Sequence, residues 1–379
     1  MPEPATRRAF SANVSRVLVG LLVLHVLLCH LPMPNFELWK VRLVAKELTL
    51  AAALVAVLAV ALARTHLVRG LALSLGCWAL RSLIAAWPLF QLAHGSFSLG
   101  EYLTGAPATP VHIERDVVLE PSRPDLTADV YRGSGDLPRP LAVVVHGGSW
   151  LHGDKGEVET VSRALAAAGV TVFDVRYRLA PEHQFPAAIA DVKCLLGRLR
   201  EQAAKFGVAK ERAALIGRSA GGQLVLVAAY SAGSRAIPPA CEVADEPVRT
   251  VIAVYPSTDL AYAYENVALP DILDSRDTLT KYLGGSPLEK LELYRQATPM
   301  TWVDKAGSRQ LPKTLLLHGL DDLLVRPYHS QHLYDALVRN GQTVTLLGIP
   351  GADHGFDFRA GGIGEQIERA AIIDALRRL

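Results

Sequence analysis

Three motifs in this 379-residue chain carry groups able to pass a proton and attack a carbonyl carbon. The first is Gly217-Arg218-Ser219-Ala220-Gly221-Gly222. A serine hydroxyl is a weak nucleophile until a neighbouring base takes its proton. The small residues around Ser219 are what a sharp strand-to-helix turn needs in order to project it. The N-terminus of the following helix then favours developing negative charge. The second motif, His146-Gly147-Gly148-Ser149-Trp150, ends an apolar run. Small residues there let backbone N–H groups turn toward an oxyanion. The expected donors are the N–H groups of Gly148 and Ser149, joined by that of Ala220. The third is a pair of loops, His318-Gly319-Leu320-Asp321-Asp322 and Gly351-Ala352-Asp353-His354-Gly355-Phe356. His354, bounded by glycines, is the expected base. A carboxylate at the end of the other strand orients it, and by residue type Asp321 and Asp322 serve equally.

The remaining polar candidates read as structural. His146 and His318 are expected to hold strand ends. His329 and His332, at i and i+3 of a helix, are expected in solvent. The four cysteines, Cys29, Cys77, Cys194 and Cys241, are scattered and predict neither a zinc site nor a disulfide framework. They leave the redox compartment open. No metal and no cofactor is expected.

The elements that position these groups follow from the pattern of apolar residues. Ile113–Leu119 and Leu126–Tyr131 read as a β-hairpin. Leu141–Val145, Thr171–Val175, Ala213–Ile216, 250–255, 314–317 and 343–348 read as strands. Helices are expected at 157–168, 187–205, 222–231 and 327–340. Strands alternating with amphipathic helices specify an α/β architecture, a mostly parallel sheet with helices on both faces. The long excursion from Ser257 to Gln310 between two core strands is apolar and aromatic, with Tyr262, Tyr264, Leu269, Ile272, Leu273, Tyr282 and Leu283. It is the expected site of substrate selection.

In order along the chain, Ser219, then Asp321 or Asp322, then His354 is the order of an α/β-hydrolase. Residues from about 111 to 379 resemble the esterase/lipase branch that includes hormone-sensitive-lipase-like and ferulic-acid-esterase-like enzymes. The likeness is carried by the motifs above together with Tyr177-Arg-Leu-Ala-Pro-Glu-His-Gln-Phe-Pro-Ala187. It implies cleavage of carboxylic esters through an acyl-serine without a cofactor. It also implies an acid four residues after His318, which selects Asp322. Glu182 and Asp191 match family positions and are expected to hold helix and loop. Hormone-sensitive-lipase-like members usually carry a third glycine where Ser149 stands.

The first hundred residues are of another kind. Half of all residues are hydrophobic and 20% charged, with a mean hydropathy of +0.22, and the excess is concentrated here. Val17–Leu31, Leu48–Ala63 and Leu67–Ala93 are apolar stretches close to the length of about 20 residues that spans a bilayer. They predict three transmembrane helices. Thr6-Arg7-Arg8-Ala9-Phe10 resembles an export signal, but no small-x-small site follows Leu28, so an uncleaved anchor is expected. Arg81, inside the third stretch, implies either a partner such as Glu47 or two half-helices. Gly95–Pro110 reads as a linker. The expected division is 1–105, membrane helices and linker, and 106–379, catalytic domain.

A formal net charge of +2 and the lack of a basic stripe give no indication of nucleic acid. The expected partners are an ester, small or lipid-like, and the bilayer. Arg7, Arg8, Arg16, Arg64 and Arg69 on one side outweigh Lys40, Arg42 and Lys46 on the other. That bias puts the N-terminus in the cytoplasm and the catalytic domain on the outer face of a multi-pass protein. Two other readings of the same residues are a serine peptidase or amidase on this fold, and a non-catalytic binding protein that kept it.

Overall fold

Apolar runs bounded by turn residues become the strands of one eight-stranded sheet in the computed structural model, which describes residues 5–30, 35–63, 65–105, 110–133, 135–270 and 272–379. Four helices come first: α1 (Ala5–His30), α2 (Phe36–Glu47), α3 (Thr49–Leu62) and α4 (His66–Leu92). A short α5 (Leu99–Thr104) precedes β1 (His112–Val118), β2 (Thr127–Arg132) and β3 (Arg139–Val145). Then come α6 (Glu159–Ala167), β4 (Thr171–Val175), α7 (Ala187–Glu201), α8 (Ala203–Phe206), β5 (Val208–Arg218), α9 (Ala220–Tyr230) and β6 (Thr250–Val254). The excursion after β6 holds α10 (Leu260–Glu265), α11 (Ser275–Leu283), α12 (Leu291–Ala297) and α13 (Pro299–Ala306). The chain closes with β7 (Lys313–Gly319), α14 (Tyr328–Arg339), β8 (Val344–Ile349) and α15 (Ile363–Arg377).

The strand order is β1-β2-β4-β3-β5-β6-β7-β8. β1 and β2 pair antiparallel, as do β2 and β4, and every later pair is parallel. Leu141–Val145 and all of β4 are buried, because parallel strands covered by helices on both faces have no wet side. One face packs on α7, α9 and α14 through residues such as Ile189, Leu226 and Leu333. The other packs on α6 and α15 through Leu165, Ile367 and Ile372. Each of these fully buried side chains contributes about 1.5–3 kcal/mol.

The first four helices are attached to this core. Ala86, Phe90 and Ala93, at and just past the end of α4, belong to the same cluster as α6 and α15. Deeper in the bundle Leu22 of α1 meets Ala52, Ala53 and Ala56 of α3 and Ala79 of α4. A Cβ on Gly76 would stand 2.7 Å from that of Ala56, so the glycine permits the close approach of α3 and α4. α4 is unbroken through Arg81, whose guanidinium lies 5.0 Å from the centre of the Trp78 ring. Two half-helices are therefore not formed, and Glu47 lies beside Arg359 instead of Arg81.

Ala9–His30 and His66–Leu92 are each long and apolar enough to cross a bilayer, and α2 with α3 makes a third candidate bent by 61°. The expected linker Gly95–Pro110 contains α5, capped by Ser98 and docked through buried Tyr102, whose hydroxyl donates to the Glu47 carbonyl. Residues 106–109 of that linker, Arg64, and the side chains of Arg7 and Arg8 lie outside the described residues.

The cysteine expectation is corrected. Cys194 on α7 and Cys241 form a disulfide across 47 residues of sequence. Spacing alone does not reveal a bridge that only the fold of α7 against the 231–249 segment brings together.

Candidate active site

Ser219 sits between the end of β5 and the start of α9 with φ 53° and ψ −119°. A non-glycine residue held there costs about 1–3 kcal/mol. The turn closes because its neighbours have no side chains. A Cβ on Gly217 would stand 2.2 Å from the Gly221 carbonyl oxygen, and one on Gly221 2.3 Å from the carbonyl oxygens of Val145 and His146. The Ser219 N–H donates to the Val254 carbonyl at 2.9 Å, tying the turn to β6.

The loops after β7 and β8 bring their groups to this serine. His354 Nε2 is 3.0 Å from Ser219 Oγ, and His354 Nδ1 is 2.8 Å from Asp322 Oδ2. Asp322 Oδ1 accepts from the N–H groups of Leu324 and Val325, both at 2.8 Å. With a carboxylate accepting at Nδ1, Nε2 is left to accept the serine proton. Asp321 points elsewhere, to Lys46 at 3.1 Å. Burial alone pulls His354 toward its neutral form. The charge and hydrogen bond of Asp322, with Asp353 and Asp357 behind it, overcome that and raise its pKa above the ordinary imidazole value. Burial pushes Asp322 up, but His354 and His318 outweigh it and hold the carboxyl well below the usual carboxylate range.

Gly148, Ser149 and Trp150 all have positive φ, at 100°, 55° and 61°. This run turns the chain back after β3, so that the Gly148 carbonyl accepts from Leu151 and His152. Among the described residues no group of the chain takes the N–H of Gly148, Ser149 or Ala220. Trp150 is held by its indole N–H to Gln223 Oε1 at 2.8 Å and stacks on Tyr282 at 4.7 Å. A cavity of about 50 Å³ opens over the serine, lined in part by Ser149, Trp150, Tyr262, Leu273 and Val325. The 257–310 excursion therefore does line the site, through Tyr262 and Leu273, while Tyr282 buttresses Trp150 from behind.

The other histidines divide. His318 anchors its strand end, with Nδ1 2.7 Å from Ser330 Oγ and Nε2 2.8 Å from the Val325 carbonyl. Buried His146 stacks on Tyr177 at 4.2 Å, and burial lowers its pKa to about 4, so it stays neutral. His329 is not in solvent as its helical position suggested. It is buried against the 257–259 turn, and its Nδ1 accepts from the N–H groups of Thr258 and Asp259, both at 3.2 Å. Burial first, then His318, lowers its pKa to about 3. Asp191 holds the 176–180 loop through Arg178.

Sequence reasoning missed two supports. Arg218, the residue before the serine, is buried between Asp357 and Glu368, and Tyr255 donates to Asp357 while its ring meets His354 at 4.3 Å. Asp353 bridges the loops that carry Asp322 and His354, accepting from the N–H groups of His354 and Leu323. A carboxylate directly before a base in a loop was the available signal.

The BD-FAE family profile matches residues 128–337. The chain belongs to the BD-FAE family of α/β-hydrolases. It is 30% identical over 259 residues to esterase LipC of Mycobacterium tuberculosis, covering 66% of this chain and 62% of LipC. It is 29% identical to carboxylic ester hydrolase LipN of the same organism, covering 72% of each. The esterase B structure from Lactobacillus rhamnosis superposes with a TM-score of 0.61 at 22% identity, over 78% of this chain and 94% of that one, and shares the fold. The match spans about three fifths of the first curated relatives' length, 62% of LipC and 58% of LipQ.

Proposed function

We propose that this chain is a membrane-anchored serine hydrolase of carboxylic esters. The observation that carries the reading is the unbroken line Ser219 Oγ–His354–Asp322 at 3.0 and 2.8 Å, supported by kinship to curated esterases. His354 Nε2 takes the hydroxyl proton as Ser219 Oγ bonds to the ester carbonyl carbon. The resulting oxyanion is held by the N–H groups of Gly148, Ser149 and Ala220. His354 returns the proton to the alkoxy oxygen, the C–O bond breaks, and alcohol leaves. Water, activated by the same imidazole, then cleaves the acyl-serine to acid and free Ser219. Asp322 holds the imidazole and stabilises its charged form. The narrow cavity over Ser219, bounded by Trp150, Tyr262, Leu273 and Val325, favours short acyl groups.

The division into residues 1–105, membrane helices, and 106–379, catalytic domain, belongs to this proposal, as does an outward-facing catalytic domain. The disulfide Cys194–Cys241 supports the latter, because such bonds persist in oxidising compartments.

The test is turnover of p-nitrophenyl acetate and butyrate by the full chain in detergent, alongside labelling by a fluorophosphonate. The expected result is ester turnover that Ser219→Ala abolishes, with the label on Ser219. Turnover of an anilide or peptide at a comparable rate would favour the amidase reading instead. A chain that takes no label and cleaves no ester overturns the enzyme reading.

A further inference from the structure

We propose that Arg42 and Lys46 of α2 are positioning residues for the Ser219–His354–Asp322 site, so that the membrane-side helix completes the active site. The inference rests on the hydrolase reading above. Its origin is Asp353, whose carboxylate is wholly buried. One oxygen, Oδ1, accepts from the N–H of His354 at 2.9 Å and from that of Leu323 at 3.2 Å. It therefore fixes the loop of the base to the loop of the acid. The other oxygen, Oδ2, faces Arg42 Nε at 3.1 Å and Lys46 Nζ at 3.4 Å. Lys46 Nζ reaches on to Asp321 Oδ2 at 3.1 Å, beside Asp322. Both cations are nearly enclosed, at 7% and 8% exposure. Ion pairs of this kind differ from surface pairs in that removing one partner strands a charge.

α2 also reaches the segment after the His354 loop. Glu47 lies 3.9 Å from Arg359, and the Glu47 carbonyl accepts from Tyr102. It is thus one clamp, placed outside residues 128–337 that the family profile covers. The charged and titratable groups around His354 are Asp322 from the acid loop, Asp353 and Asp357 from its own loop, the neutral phenol of Tyr255 just after β6, and Arg218 at the end of β5, which pairs with Asp357. Arg42 and Lys46 are the counter-charges to Asp353 supplied by α2. Without them the bridging carboxylate is an uncompensated negative charge next to the base. Two effects follow. The two loops lose their common anchor, and a displacement of about 1 Å between base and nucleophile costs on the order of a hundredfold in rate. The extra negative charge also favours the imidazolium, so the acid limb of the pH–rate profile moves to higher pH.

The experiment compares the full chain with Lys46→Gln, Arg42→Gln, the double variant, and Lys46→Arg, in detergent or vesicles. Steady-state kinetics on p-nitrophenyl butyrate are measured from pH 5 to 9, with melting temperature alongside. The expected result is a loss of roughly ten- to a hundredfold in kcat for the glutamine variants. KM should stay within about twofold, and the acid limb should rise by about half a unit. Lys46→Arg, which keeps the charge, should restore most of the rate. A purely structural clamp would lower the melting temperature while leaving kcat and the acid limb unchanged, and that result overturns the proposal. Should Arg42→Gln fail to fold, Lys46→Gln decides alone, since Arg42 still faces Asp353 in that variant. A wild-type chain without Ser219-dependent turnover would overturn the hydrolase reading itself, whereas normal turnover unaltered in the variants overturns only the role of α2.

Discussion

The Asp322 carboxylate is enclosed and fully engaged, by His354 on one oxygen and by two backbone N–H groups on the other. That of Asp321 is 38% exposed and reaches Lys46. Asp322→Asn keeps the shape but removes the charge that stabilises the imidazolium, and is expected to lower kcat by roughly four orders of magnitude. Asp321→Asn should cost no more than about threefold, because Lys46 still faces Asp353. Asp322 with His354 also sets the expected pH dependence. The base works only when His354 is neutral, and Asp322 raises its pKa. Activity in the wild type should therefore climb through a midpoint above about 6.5. In Asp322→Asn the residual activity should climb through a lower one, since burial then acts unopposed by that charge. A pH–rate series of kcat/KM on the wild type and Asp322→Asn checks both statements. Wild-type activity already at its plateau well below pH 6 would contradict the raised imidazole.

At the scale of elements, the turn after β3 separates what a glycine does from what its neighbour does. A Cβ on Gly148, which has φ 100°, would stand 2.1 Å from the His152 carbonyl oxygen. Gly148→Val therefore has to move the turn, and with it the N–H groups of Gly148 and Ser149 that are proposed to hold the oxyanion. We expect a loss on the order of a hundredfold in kcat. Ser149→Gly removes a side chain from a positive-φ position and leaves the N–H in place, so kcat should stay within about threefold and the melting temperature should hold. Stopped-flow acylation and thermal melts on both variants measure this, and a large loss in Ser149→Gly would assign its hydroxyl a role. Much of this level was legible in the sequence. Buried strands announce themselves as short apolar runs, and the expected Thr171–Val175 is β4 residue for residue. β5 begins earlier than its apolar run because Val208 and Ala209 pair with Arg139 and Pro140 across a register shift. His329 was misplaced because helical spacing gives a residue's face but not what is packed on it. Here the 257–259 turn covers that face. Asp353 and its cations were hidden for a related reason: Arg42 and Lys46 are about three hundred residues away along the chain, and no periodicity connects them.

At the scale of the whole molecule, the side of the membrane proposed for the catalytic domain rests on where the first helices end. α1 is long and apolar enough to cross, and the next helix, α2, is bound by ion pairs to the catalytic loops. On the proposed reading, in which α1 crosses, α2 and the catalytic domain share one side of the bilayer and the N-terminal end of α1 points to the other. This holds whether α3 and α4 count as two crossings or as a hairpin, since the end of α4 is packed in the catalytic core. The N-terminal side carries Arg7, Arg8 and Arg16 by sequence. On the opposite side Arg42 and Lys46 are committed to Asp353, and Lys40 to Glu37 at 2.7 Å. Positive charge free to resist translocation is thus concentrated in the N-terminal half of α1, which supports the proposed cytoplasmic N-terminus. The disulfide asks for the same orientation, because the cytoplasm keeps such thiols reduced. Two measurements test the orientation together. A reporter enzyme that works only when exported, fused after Gly105, is expected to be active. In intact cells, an alkylating reagent applied without reductant should leave Cys194 and Cys241 unmodified, and should modify them once the bond is reduced. A silent fusion from a well-expressed chain, with both cysteines alkylated directly, would place the catalytic domain in the cytoplasm.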